Sequence, residues 1–102
     1  MYLAKVIGQV VSTKKESPLQ GVRLLILRPM LVDEEDPSQL KPGKNTIVAV
    51  DKLGAGNGQM VLLVQGSSAR QCEGMKSIPV DAAVAGIVDS VRVGASSPYT
   101  NG

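Results

Sequence analysis

Ser67, Ser68 and Arg70 stand together in GSSAR, a hydroxyl pair beside a guanidinium. These are the residue types of a nucleophile and an oxyanion partner. The chain has no histidine, so the usual base for activating a serine is missing. A loop-capping serine pair, with an arginine held by a carboxylate or by carbonyls across a subunit contact, accounts for the same residues. Just upstream, Gly54, Gly56 and Gly58 alternate in LGAGNGQ. Such glycines cradle a pyrophosphate when a helix follows, because its N-terminus supplies amides and a favourable dipole. Here the strand-like QMVLLVQ follows, and the Lys-Ser/Thr of a P-loop is absent. The loop therefore reads as a tight turn between two antiparallel strands that requires positive φ.

The remaining polar groups offer little chemistry. Asp33, Glu34, Glu35 and Asp36 do not follow a calcium-loop spacing and read as a solvated cluster. Asp51, Asp81 and Asp89 fall in strands or at their ends, where backbone amides or Arg70 are their expected partners. One cysteine, Cys72, excludes an intrachain disulfide and suits a reducing compartment; without histidine a zinc site is not expected. No metal, cofactor or catalytic residue is assigned. The 11 basic and 9 acidic residues leave a net charge of +2, with no basic stripe for a phosphate backbone. No apolar stretch approaches membrane-spanning length, and the N-terminus lacks the pattern of a signal peptide.

The elements that would position these residues are short strands. Residues 2–12, 22–29, 46–51, 59–65 and 82–93 are rich in Val, Leu and Ile and bounded by Gly, Pro and polar clusters. Gly8 and Gly86 inside strands predict bulges or bends. Residues 30–45 predict a surface loop with a hairpin in it, residues 66–81 one helical turn before Pro79, and residues 94–102 a mobile or partner-docked tail. The sequence thus predicts an all-β chain, a small closed β-barrel of about five main strands with one short helical turn. Its 102 residues suit a single domain. In VRLLIL, TIVAV and QMVLLVQ both strand faces are largely apolar, which predicts that other copies of the chain cover some outward faces. A five-stranded barrel of this kind also fits single-stranded nucleic acid, but Tyr2 and Tyr99, at opposite ends of the chain, are its only aromatic stacking platform.

LAKVIGQVVSTKK, GVRLLIL, VAVDKLGAGNGQMVLLVQGSSAR and PVDAAVAGIVDSV occur in order along nearly the whole chain. Together they resemble the vertex proteins of bacterial microcompartments, the family of the carboxysome and ethanolamine-utilisation shells. Gln59 and Met60 stand where relatives often carry an acidic residue and an aromatic, and the Asp33–Asn45 loop is longer than in many of them. The resemblance implies an oligonucleotide-binding-like (OB-like) barrel, in a homopentameric ring that caps the five-fold vertices of a polyhedral shell in the bacterial cytoplasm. It implies no enzyme activity, and as partners other copies of itself and the hexameric and trimeric shell proteins. Gly54, Gly56, Gly58, Gly66, Ser67, Ser68, Arg70 and Asp81 would then form subunit contacts or line a narrow axial pore.

Overall fold

Alternation of Val, Leu and Ile with smaller or polar residues gives each strand a face to bury, and the chain closes those faces on one another. The structure, a computed structural model, describes residues 1–11, 22–66, 69 and 81–101. The strands among them are β1 (Tyr2–Val10), β2 (Arg23–Val32), β3 (Leu40–Pro42), β4 (Ile47–Asp51), β5 (Met60–Gln65), β6 (Ala82–Ile87), β7 (Ser90–Val93) and β8 (Ser96–Thr100). Around the barrel the order is β1–β5–β6–β4–β2, and β2 pairs back onto β1, so the cylinder is closed. Neighbours are antiparallel except β4 and β6, which meet in parallel at Val50 and Ala83. This is the Greek-key order of an OB-like barrel.

β1 can close the barrel because it serves two partners. Leu3, Ala4 and Lys5 pair with Met30, Pro29 and Arg28 on one side and with Leu62, Val61 and Met60 on the other. Two bulges bend the strands to make closure possible. One falls in β1 between Val6 and Gly8, where Ile7 has no partner in β2. The other lies at Gly86, where Leu62 and Leu63 face Gly86 and Val84 and skip Ala85. Both expected bends are present.

The interior is filled by Val6, Leu25, Leu27, Val61, Leu63 and Val84, with alanines at positions 4, 49 and 82 where the cylinder has room for nothing larger. A second cluster lies on the opposite face of the same strands. Val50, Val64 and Ala83 pack with Ala69, against half-buried Val22 and Leu24. The doubly apolar strands are thus explained in part within one chain: Ala69 covers an outer patch that the sequence alone would leave to another copy. Elsewhere the outer aliphatics stay bare. Val48 is 50% exposed, Ile7 40% and Ile87 36%.

Two expectations change. The stretch 82–93 is not one strand: β6 ends where the Val88 amide bonds to Met60 O, and β7 begins a separate hairpin. The tail is not loose, since β8 pairs with β7 and the Asn101 amide bonds to Asp89 O at 2.7 Å. The hairpin expected within residues 30–45 is present: β2 runs on to Val32, past the expected end at residue 29, and β3 folds back on it, pairing Leu31 with Lys41. Most of the segment expected to hold a helical turn lies outside the described residues.

Candidate functional site

The glycine loop is built around a buried carboxylate. Asp51 ends β4 at 2% exposure, where an unpaired charge would be costly. Its Oδ1 accepts the Leu53 amide at 2.8 Å and its Oδ2 accepts the Ala55 amide at 2.8 Å. Arg23, opposite Asp51 in the β2–β4 ladder, adds an ion pair at 3.3 Å from a side chain 44% exposed. The backbone amides expected for Asp51 are found; its cationic partner among the described residues is Arg23.

From Asp51 the chain swings across an open end of the barrel to β5. Ala55 is fully buried among the interior residues and plugs that opening. The Gly56 amide bonds to Gln59 Oε1 at 2.6 Å, and the Gly58 amide to Val6 O at 2.8 Å. Val6 in turn donates to Gln59 O at 2.9 Å. Gly54 has φ 84° and Gly58 φ 88°, the left-handed conformations expected of this loop. Gly56 is not among the positive-φ residues. The loop is also not a hairpin: β4 and β5 do not pair, because β6 lies between them. It is a crossover that seals the cylinder.

The candidate residues fall into two groups. Gly54, Gly56 and Gly58 belong to the crossover, whose surface also presents Lys52 and a 52%-exposed Leu53. Gly66 and Asp81 meet at the far end of β5, where the Gly66 amide bonds to Asp81 O at 2.6 Å. The six residues of β5 hold the groups apart, a span of roughly 20 Å. Ser67, Ser68 and Arg70 lie outside the described residues, as does Cys72.

Two members of the acidic cluster, Asp33 and Asp36, spend carboxylate oxygens locally. Asp33 Oδ1 accepts the amides of Glu35 and Asp36, and Asp36 Oδ1 accepts the amide and hydroxyl of Ser38. Among the described residues no group of carboxylates or thiols is gathered as a metal site, and no helix is long and apolar enough to cross a membrane. Tyr99 is tied to the barrel, its hydroxyl accepting the Met60 amide at 3.1 Å.

The fold and the sequence find counterparts in known proteins. A family model described as "Ethanolamine utilisation protein EutN/carboxysome" matches residues 1–89. The chain belongs to this EutN/CcmL family. The bacterial microcompartment shell vertex protein GrpN of Rhodospirillum rubrum is 48% identical over 92 residues, 90% of this chain and 97% of the relative. The carboxysome shell vertex protein CcmL of Nostoc sp. is 47% identical, over 91% of this chain and 87% of that one. Among solved structures, the Gloeobacter violaceus CcmL superposes with a TM-score of 0.83 at 40% identity, covering 99% of this chain and 98% of that one. The R. rubrum GrpN structure, described as a pentameric microcompartment shell protein, has a TM-score of 0.74 and covers 91% of this chain and 99% of its own.

Within this EutN/CcmL barrel, sequence reasoning passed over Arg23 and the tie between Met60 and Tyr99. For Arg23 a signal existed, a cation at the start of a strand whose next four residues, LLIL, are all apolar. For Tyr99 there was none, since 39 residues separate it from Met60.

Proposed function

We propose that this EutN/CcmL-family chain is a structural shell protein that works as a ring of five copies at the vertices of a bacterial microcompartment. The bare aliphatic side chains on the barrel's outside, Val48 and Ile7 foremost, carry the reading. An isolated small barrel gains by turning such groups inward, and a head-to-tail contact that closes into a ring covers them on every copy. The pentameric GrpN supports it. Six-fold tiles pave flat sheets, and a five-fold unit supplies the curvature that closes a shell. The protein then sits in the bacterial cytoplasm as part of the shell, and it performs no catalysis.

In this reading the whole chain serves as one vertex domain. Gly54, Gly56 and Gly58 with Leu53, and separately Gly66 and Asp81 with Ser67, Ser68 and Arg70, supply subunit contacts or flank an axial pore. The outer rim meets the hexameric and trimeric shell proteins. Nucleic acid and membrane are not partners. Native mass spectrometry tests the core of the proposal: a pentamer at micromolar concentration is expected, and a stable monomer there would sink it.

A further inference from the structure

Across β5, β1 and β2 the outward residues Met60, Lys5 and Arg28 stand in one row, each the registered partner of the next. Two cations are therefore directly opposite each other, an arrangement that repels unless something negative lies near. Arg28 turns its guanidinium to the carbonyls of Gly43 and Lys44, at 2.9 and 3.4 Å. Lys5 remains exposed and has no ion-pair partner among the described residues.

Over this row lies a cavity of about 260 Å³. Its floor and sides are Met60, Lys5, Met30 and Leu40; the C-terminal hairpin roofs it with Pro98 and Tyr99. Lys5 is the one charged residue in the lining, and the lining residue Ser38 donates its hydroxyl to Asp36. Tyr99 spends an oxygen lone pair on the Met60 amide, which leaves its own O–H proton available to a ligand. An ammonium and a hydroxyl, both donors, thus face a small chamber whose remaining wall mixes the apolar Met30, Leu40, Met60 and Pro98 with the polar Ser38 and Gln39. The space is below the roughly 300–1,000 Å³ of drug-sized pockets, so the fitting ligand is small.

We infer that this cavity binds a short-chain aliphatic monocarboxylate, with the carboxylate on Lys5 and Tyr99 and the alkyl tail against Met30, Leu40, Met60 and Pro98. The roof belongs to residues beyond the 1–89 that the family model spans, so the site is not a property of the barrel alone.

Saturation-transfer difference NMR with butyrate on the intact, assembled protein tests this, with butyramide as the neutral isostere. Butyrate is expected to receive saturation at millimolar concentration and butyramide to receive far less. Lys5→Gln, a change at an exposed side chain, should weaken butyrate roughly tenfold or more, the loss expected for a charge-assisted hydrogen bond. Tyr99→Phe should weaken it by a smaller factor. No transfer to butyrate, equal transfer to butyramide, or an unchanged response in Lys5→Gln would each overturn the assignment.

Discussion

Asp51 and Ala55, four residues apart, are joined by a 2.8 Å hydrogen bond from a buried amide to a buried carboxylate oxygen. This bond turns the chain out of β4 and drops the Ala55 methyl into the mouth of the barrel. Asp51→Ala strands the Ala55 and Leu53 amides together and should cost about 3 kcal/mol. In a thermal melt followed by circular dichroism, that is a fall in Tm on the order of 15 °C. Arg23→Ala leaves both amides bonded but takes the cation from a buried carboxylate, so its cost should be about 1–2 kcal/mol, below that of Asp51→Ala. Equal losses in the two variants would show that the ion pair, and not the amides, holds the loop.

The glycines of the crossover should differ among themselves. A Cβ at Gly54 or Gly58 meets nothing within 4 Å, so the penalty there is backbone strain alone. Gly54→Ala and Gly58→Ala should each lose about 1 kcal/mol in a denaturant titration. Gly56→Ala adds a methyl 3.6 Å from Gln59 Oε1, at a residue without positive φ, and should cost less than about half as much. A uniform loss across all three would contradict this account.

Ring formation should depend on the bare aliphatics. Val48→Asp and Ile7→Asp change side chains that are already exposed, so the barrel should fold with an unaltered far-UV spectrum. Sizing by native mass spectrometry should then show subunits in place of pentamers. If both variants still assemble fully, these faces are not subunit contacts.

Removal of the residues after Asp89 should leave a folded barrel, because β7 and β8 pair only with each other. It takes the Tyr99 hydroxyl from the Met60 amide and exposes a side chain now 2% accessible. A loss of about 2 kcal/mol is expected from that burial, with faster hydrogen exchange at the Met60 amide. An unfolded product would show the hairpin to be part of the core.

Much of the barrel was legible because local rules and global shape agreed. Gly8 and Gly86 stand inside apolar strands where only a bulge makes sense of them, and bulges are there. Gly54 and Gly58 announced their left-handed turns. The route of the loop was not legible: that β6 inserts between β4 and β5 is a matter of long-range order, and a hairpin and a crossover share the same turn chemistry. The division of 82–93 was hidden for a similar reason. Its apolar run is continuous, and it is broken by partners far away in sequence, Met60 at Val88 and Asn101 at Asp89. The second apolar face of β4 suggested neighbouring subunits throughout. Val50 in fact meets Ala69 of the same chain, and only Val48 and residues like it are left for a neighbour.

The hairpin of β7 and β8 shares no ladder with the body it leans on. Such an appendage can be lengthened, traded or discarded over evolutionary time without disturbing the scaffold. The carboxyl end is accordingly where lineages, or engineers grafting cargo, have latitude to diversify the unit.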